Sequence, residues 1–280
     1  MNTATLLVSC GDRTGIVAAL SDFVFRHGGN IIDADQHSED SGHFFMRLRF
    51  ETSDFALDWE GIQMALAVLA RGFDMQWQLY GPSRPRVALF CSKGLHCVYD
   101  LLMRQQMNEL AGDIVAVVSN HENAREACEH FGLPFHHIPV GIDKGAAEAQ
   151  QRALLSELNI DLVVLARYMQ VLSPAFVDEW SGRAINIHHS FLPAFAGAKP
   201  YHQAKQRGVK VIGATAHYVT ADLDQGPIID QDVIRVTHRD EVSDLVRKGR
   251  DIERQVLAHA VTLHLQRRVL VHANRTIVFH

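Results

Sequence analysis

A length of 280 residues exceeds what one compact core usually holds, so the sequence predicts two domains. Hydrophobic residues at 47% and charged residues at 21% are typical of globular proteins and exclude a disordered or collagen-like chain. The formal net charge of −5, without a long basic run, argues against a surface that binds phosphate backbones, so no nucleic-acid partner is expected.

The first eighty residues alternate between short strands and amphipathic helices in the order βαββαβ. Residues 46–50 place Met, Leu and Phe at alternate positions between arginines, the period of a strand with one wet face. The helix that begins near Ile16 ends at Gly28 and Gly29, because glycine tolerates a left-handed C-cap. The predicted elements cover residues 4–10, 16–27, 30–36, 46–50, 59–71 and 75–80. This order is ferredoxin-like, and we assign it to residues 1–81.

Residues 82–85 form the predicted linker, since two prolines within four residues continue neither a helix nor a central strand. Beyond the linker the strands become almost continuously apolar, at residues 87–91, 114–119 and 162–166. Such strands are buried on both faces, which is typical of a mostly parallel, Rossmann-like sheet covered by helices. We therefore predict an α/β domain over residues 86–280. Its last element is a long helix over 241–268.

Polar residues follow two later strands of this domain, at the edge where open α/β sheets bind their ligands. The strand predicted over 183–188 carries Asn186 and His188, which lie two residues apart and therefore on one face. An imidazole can move protons near neutral pH, and a carboxamide can donate to a developing oxyanion. The simpler interpretation is that the amide bonds a neighbouring backbone group and the imidazole lies on the surface.

The strand predicted over 211–220 runs into a loop that contains Asp222 and Asp224. A carboxylate there could orient a nearby imidazolium, as acids do in catalytic triads, although an ordinary turn aspartate is the simpler interpretation of each. Spacing alone does not choose between the two acids. Three further histidines are candidates for which a structural or substrate-positioning role is at least as expected as catalysis: His189, His202 and His217.

The sequence lacks the common signatures of metal, nucleotide and serine-hydrolase sites. Adjacent histidines on a strand point to opposite faces, and no HxxxH or HExxH pair occurs on a helix. The loop at residues 91–96 contains one glycine and matches neither a dinucleotide nor a Walker pattern. No GxSxG elbow occurs. We therefore expect no metal, NAD or ATP.

The cysteines and the N-terminal segment both favour a cytoplasmic protein. Four cysteines are scattered along the chain without a CxxC pair, which predicts neither a disulfide framework nor a zinc knuckle. The apolar run near the N-terminus is too short for a signal peptide or a membrane span. A reducing cytoplasm is the expected location.

Three segments carry a resemblance to a known family: 184–195 (AINIHHSFLPAF), 213–219 (GATAHYV) and 223–229 (LDQGPII). They resemble the folate-dependent formyltransferase family. Nearly the whole chain, from about residue 5 to 280, is similar to the formyltetrahydrofolate deformylases, in which an ACT-like domain precedes the formyltransferase-like domain. Residues 12–17 (DRTGIV) belong to the part that resembles the ACT domain.

The resemblance implies a catalytic trio of Asn186, His188 and Asp224, and so selects Asp224 over Asp222 as the acid. It implies a cleft for the pteridine ring between residues 165–172 and the loop 220–224, with most contacts made by backbone groups. Gln170 departs from the arginine typical of the family. The residues expected to bind substrate are Met169, Gln170, Val171, Leu172, His189, Thr220, Ala221 and Asp222. Because folate is the substrate, no cofactor is implied.

The resemblance also favours hydrolysis over transfer to an amine. Glycinamide ribonucleotide transformylases carry a Gly-Ser-Asn-type loop after the first strand and a His-Pro-Ser motif, whereas this chain has SKGLH at 92–96 and HHS at 188–190. We therefore expect water to attack 10-formyltetrahydrofolate and release formate, which balances the one-carbon pool for purine biosynthesis. Asp224 would hold His188 and the water, His188 would relay the proton to the folate nitrogen, and Asn186 would bind the oxyanion.

The ACT-like resemblance implies a homo-oligomer, a dimer or tetramer, whose activity responds to an amino acid such as glycine or methionine. An oligomerisation platform without a ligand is an equally expected role for this domain. Two other functions stay open from the sequence. One is a formyltransferase that acts on an amine acceptor, and the other is a regulator that binds folate or an amino acid without turnover.

Overall fold

The computed structural model describes residues 3–193 and 200–280, which form two compact units. The first unit comprises the chain up to Ser83 together with Arg267–Leu270 and Ile277–His280. The second comprises Arg84–Gln266 and Val271–Thr276. The change from one unit to the next thus falls within residues 82–85. None of the helices in the described part of the chain combines the length and the apolar character that crossing a membrane requires.

The first unit is an antiparallel four-stranded sheet with two helices. Its elements are β1 (Thr3–Gly11), α1 (Ile16–Arg26), β2 (Ile31–Ser38), β3 (His43–Glu51), α2 (Trp59–Phe73) and β4 (Gln76–Tyr80). The strand order is β2-β3-β1-β4, with β1 paired antiparallel to both β3 and β4. The predicted βαββαβ order is confirmed, with boundaries shifted by a few residues.

The helices of the first unit are amphipathic, and their apolar faces meet the sheet. Leu20 and Leu66, one from each helix, are buried with Leu48 and Phe50 of β3 in one hydrophobic cluster. The second helix begins at Asp58, whose side chain accepts a hydrogen bond from the backbone N–H of Gly61 and so satisfies one of the free donors at the helix start. Apolar periodicity and the cap act together to place this helix.

The second unit is a seven-stranded sheet with helices. Its elements are β5 (Arg86–Cys91), α3 (His96–Gln106), β6 (Asp113–Ser119), α4 (Arg125–Phe131), β7 (Phe135–His137), α5 (Lys144–Glu157), β8 (Leu162–Leu165), α6 (Pro174–Glu179), β9 (Ala184–His188), α7 (Pro200–Arg207), β10 (Val211–Tyr218), β11 (Ile228–Arg235) and α8 (Val242–Leu265). The strand order is β11-β10-β9-β8-β5-β6-β7. The predicted mostly parallel sheet is confirmed, because β5 to β9 pair in parallel while β10 and β11 are antiparallel.

The strand order of the second unit reverses between β5 and β8. From β5 the chain builds β6 and β7 on one side, and it then returns to add β8 and β9 on the other. All four residues of β8 are buried, as expected for a strand covered on both faces. Ligands of open parallel sheets bind beyond the carboxyl ends of the strands at such a reversal. The residues that follow β8 and β9 are therefore expected to form the ligand-binding site.

The chain ends in a strand pair that the sequence analysis did not predict. The last helix stops at Leu265, and β12 (Val269–His272) and β13 (Arg275–Val278) follow it. Leu270 and Phe279 pack on Leu7 and Phe45, which lie on the sheet face of the first unit that is turned away from α1 and α2. This burial explains why Arg267–Leu270 and Ile277–His280 belong to the first unit, whereas the sequence assigned them to the second.

Candidate active site

Four polar side chains meet where β9 ends, and strand register brings two of them together. Strand β10 runs antiparallel to β9 with His217 directly opposite Asn186. The amide Nδ2 of Asn186 lies 3.2 Å from Nε2 of His217. Asp224, in the loop that leaves β10, places Oδ2 at 3.2 Å from Nδ1 of His188 and Oδ1 at 3.7 Å from Nε2 of His217. The predicted trio of Asn186, His188 and Asp224 therefore converges, with His217 as a fourth member.

The loop that carries Asp224 folds tightly against β10. Asp224 adopts a left-handed backbone conformation with φ 56°, which aspartate tolerates better than most residues. A Cβ atom at Gly226 would lie 1.7 Å from the carbonyl oxygen of Tyr218, so only glycine fits there. The loop is closed by the Tyr218 N–H, which donates to the carbonyl of Pro227 at 2.9 Å. This close approach holds Asp224 beside the end of β9.

The hydrogen-bond partners assign the protons of both histidines. Nδ1 of His217 lies 2.9 Å from the carbonyl oxygen of Tyr218, which only accepts, so this nitrogen carries the proton. Nε2 of the neutral ring is then free to accept from Asn186. By the same reasoning Nδ1 of His188 donates to the Asp224 carboxylate. The other ring nitrogen of His188, Nε2, is buried and has no hydrogen-bond partner among the described residues.

The electrostatics of the cluster favour a charged acid. The hydrogen bond from His188 foremost, together with the nearby His217 ring, holds the pKa of Asp224 well below its usual range, against the opposing effect of partial burial. Asp224 is therefore a carboxylate near neutral pH. A carboxylate that accepts from Nδ1 fixes the ring orientation of His188 and would stabilise its imidazolium form. The unpartnered Nε2 is thus a positioned proton acceptor.

The four residues of the cluster line a cavity of about 300 Å³. The other walls come from the segment after β8 and from the loop after β10, as the resemblance implied. Of the residues expected to bind substrate, Met169, Gln170, Val171, Leu172, His189, Thr220 and Ala221 line this cavity. Asp222 does not line it, and its backbone carbonyl accepts a hydrogen bond from the Thr220 hydroxyl instead. Leu223 takes the place in the wall that was expected of Asp222.

The remaining histidines separate in the structure. His202 lies away from this cavity and lines a second one, which is described below. His217 is buried, yet it contacts both the amide and the acid of the trio, a role the sequence analysis left open. The register between β9 and β10 is what brings His217 into these contacts. No periodicity within either strand carries that information.

One group of side chains in the described part of the chain brings three possible metal ligands together. His96, Cys97 and Glu253 have donor atoms within 4.8 Å of one another. However, Nε2 of His96 already lies 2.7 Å from Glu253, and the Arg167 guanidinium lies 3.5 Å from the same carboxylate oxygen. Burial raises the pKa of the Cys97 thiol well above its usual range, which disfavours the thiolate that binds metals. The donors therefore suit an internal ion-pair network better than a metal ion.

His189 lies beside the cluster in a site that disfavours its charged form. Burial, followed by the charges of Arg167 and His188, lowers the pKa of His189 to about 4. Its ring stacks on that of His188, with ring centroids 5.1 Å apart. His189 is therefore neutral near pH 7 and stays neutral in moderately acidic solution.

The depressed pKa of His189 predicts a specific loss of stability in acid. Above pH ~6.5 the ring is neutral in both the folded and unfolded states and contributes nothing. As the pH falls from ~6.5 towards 4, the unfolded chain binds a proton that the folded protein does not, so folding is progressively disfavoured. We expect His189→Gln to reduce the difference in melting temperature between pH 7 and pH 5. The matched control is His238→Gln at an exposed site, which should leave that difference unchanged. An equal effect of the two substitutions would contradict the assignment.

Comparison with known proteins agrees with the fold. The Formyl transferase family matches residues 85–261. The formyltetrahydrofolate deformylase of Synechocystis sp. is 51% identical over 280 residues, covering 99% of this chain and 98% of its own. A crystal structure of a formyltetrahydrofolate deformylase from Pseudomonas syringae pv. tomato has a TM-score of 0.97 at 48% identity and covers 100% of this chain and 95% of its own. A glycinamide ribonucleotide transformylase from Symbiobacterium toebii, 29% identical, has a TM-score of 0.68 and covers 72% of this chain and 98% of its own. The chain belongs to the formyltetrahydrofolate deformylase family.

Proposed function

We propose that the protein hydrolyses 10-formyltetrahydrofolate to formate and tetrahydrofolate. The observation that carries this proposal is the convergence of Asn186, His188 and Asp224 in the lining of a cavity beyond the carboxyl end of β9. Family membership supplies the substrate, and the cluster supplies the groups that acyl transfer to water requires.

The cavity suits a flat, partly apolar ring that carries hydrogen-bonding edges. Leu165, Val171 and Leu172 from one wall and Val219 and Leu223 from the other provide apolar surface. Most residues of both walls lie in loop segments that follow strands, and such segments expose backbone N–H and C=O groups. In this proposal the pteridine lies between them. The formyl-bearing N10, which lies outside the pteridine ring, then faces the cluster.

The proposed chemistry divides the work among the three side chains. Asn186 has two amide protons, of which one is directed at His217, so the other is available to the oxyanion that forms on the formyl oxygen. Nε2 of His188 accepts a proton from water as the water oxygen attacks the formyl carbon. The same nitrogen returns that proton to N10 of the folate as the C–N bond breaks. Asp224 remains charged throughout, stabilises the imidazolium and has a second oxygen near the water.

Substitution of the trio tests the proposed chemistry. Asn186→Ala, His188→Ala and Asp224→Asn should each lower kcat by roughly 10²- to 10³-fold, because each removes a group that acts in the transition state. The measurement is formate release by the purified protein with no amine present, which also separates hydrolysis from formyl transfer. The matched control is Asp222→Asn, which should remain within about twofold of wild type. Equal losses at Asp222 and Asp224 would contradict the assignment of the acid.

Gly226 provides an independent test of the loop geometry. Gly226→Ala introduces a methyl group that would overlap the Tyr218 carbonyl, so the loop must move and Asp224 must leave its place beside His188. We expect kcat to fall at least 10-fold, with a decrease in melting temperature. Gly141→Ala is the control, because its added Cβ meets no atom within 4 Å. A fully active Gly226→Ala protein would show that the loop position is not required.

For the first unit we propose an ACT-like regulatory role in a homo-oligomer. Its βαββαβ topology with strand order β2-β3-β1-β4 supports the proposal. Calorimetric titration of the full chain with glycine and with methionine should give saturable binding by one of them, and light scattering should give the mass of a dimer or tetramer. A monomer that binds no amino acid would contradict both parts, whereas an oligomer without binding would leave only the platform role.

A further inference from the structure

A second cavity, of about 560 Å³, lies on the other side of the loop that follows β8. Its lining includes several basic side chains, among them Lys93, His121, His202 and Arg250. This cavity is large enough for a molecule of the size of a small metabolite. The reaction proposed above, in which water is the nucleophile, makes no use of it.

The two cavities share one wall. Arg167, Met169, Gln170 and His189 line both of them. Arg167 is the first residue of the wall after β8 and adopts a left-handed conformation with φ 65°. Its backbone carbonyl accepts a hydrogen bond of 3.2 Å from the N–H of Ser92, which anchors its main chain. A nucleophile that entered from the second cavity would have to pass this wall to reach the formyl carbon.

The side chain of Arg167 is held by a carboxylate that the proposed reaction does not use. Glu253 of α8 is 2% exposed, and its Oε2 lies 3.5 Å from Nε of Arg167. The same carboxylate accepts from the Tyr201 hydroxyl at 2.9 Å and lies 2.7 Å from Nε2 of His96. These contacts, with the hydrogen bond from His96 and the charge of Arg167 foremost, lower the pKa of Glu253 despite its burial. A buried carboxylate with three partners fixes all of them in place.

The Glu253 carboxylate also holds the opposite side of the wall, through Tyr201. The ring of Tyr201 packs on that of His189, with centroids 6.2 Å apart, and His189 stacks in turn on His188. Space for the Tyr201 hydroxyl exists because the residue one turn before Glu253 is Gly249, where a Cβ would lie 2.0 Å from that oxygen. Glu253 therefore holds Arg167 directly and His189 through the ring of Tyr201.

We propose that Arg167, held in place by Glu253, is the specificity-determining residue. It lets water reach the formyl carbon and blocks amines that would approach that carbon through the second cavity. This inference rests on the hydrolytic function proposed above. Arg167 acts by occupying the passage, and Glu253 is a positioning residue that prevents the guanidinium from swinging aside. The structural relatives that include glycinamide ribonucleotide transformylases share the fold, so the choice of nucleophile has to be made by local features such as this wall.

Hydrolysis and formyl transfer to an amine have the same leaving group, tetrahydrofolate. In hydrolysis the water oxygen bonds to the formyl carbon, the bond from that carbon to N10 breaks, one proton passes to N10, and formate is released. In the diverted reaction the lone pair of a primary amine forms the new bond to the formyl carbon. The amine proton then passes to N10, and the products are an N-formyl amine and tetrahydrofolate. No oxidant or further reactant is needed.

The test is a partition experiment with glycinamide as the probe amine. Full-length wild-type protein, 10-formyltetrahydrofolate and a series of glycinamide concentrations are combined, and formate and N-formylglycinamide are both quantified. Wild type should give formate alone. Arg167→Ala should divert at least one tenth of its turnovers to N-formylglycinamide, in proportion to the amine concentration. Glu253→Gln should do the same to a smaller extent, because this variant keeps the Arg167 guanidinium but removes the carboxylate that holds it in place.

The matched control is Arg250→Ala, which removes a positive charge from the second cavity without altering the shared wall. This variant should release formate at the wild-type rate and form no N-formyl product. If Arg167→Ala does not fold, Arg167→Lys and Glu253→Gln carry the test, since both keep a polar side chain at the altered position. Folded wall variants that turn over and give only formate would overturn the proposal. Wild type that releases no formate would instead overturn the proposed function.

Discussion

The candidate active site depends on the antiparallel pairing of β10 with β9. This register places His217 opposite Asn186 and Thr215 opposite His188. Because side chains alternate along a strand, a slip of one residue would turn Asn186 and His188 towards the opposite face of the sheet. Thr215, fully buried, also secures the segment after β9, since its hydroxyl donates to the Ser190 carbonyl and accepts from the Leu192 N–H. The position of the proposed catalytic groups is thus a property of the sheet.

Asp224 is brought to the cluster by a loop rather than by strand pairing. Asp224 belongs to a connection between antiparallel strands, and connections of this kind usually vary in position. Here the close approach at Gly226 and the hydrogen bond from Tyr218 to Pro227 restrict the loop to one backbone conformation. His217 then contacts both Asn186 and Asp224, so the strand pair and the loop are joined by one imidazole. A rigid sheet and a constrained loop together hold groups that are far apart in the sequence.

Much of this arrangement could be predicted from local sequence patterns, and the rest required contacts between distant segments. Period-2 and period-3.6 patterns located the elements of the first unit, and the continuous apolar strands indicated the parallel sheet. The trio was predicted by family resemblance, because spacing alone left Asp222 and Asp224 equivalent. The role of His217 depends on strand register, and Glu253 lies on a helix 86 residues beyond Arg167, so neither contact leaves a local signature. Strands β12 and β13 have only four residues each, too few to show a period.

The packing of the last residues on the first unit also bears on the order of assembly during translation. Leu7 and Phe45 emerge from the ribosome more than two hundred residues before Leu270 and Phe279, which cover them. Arg47, buried on the same face, likewise obtains its partner, the carbonyl of Arg267, only after more than two hundred further residues have been synthesised. An uncovered apolar sheet face is prone to association with other nascent chains. This face of the sheet is therefore covered only once residues 267–279 have been synthesised, and a chain that lacks them would leave it exposed.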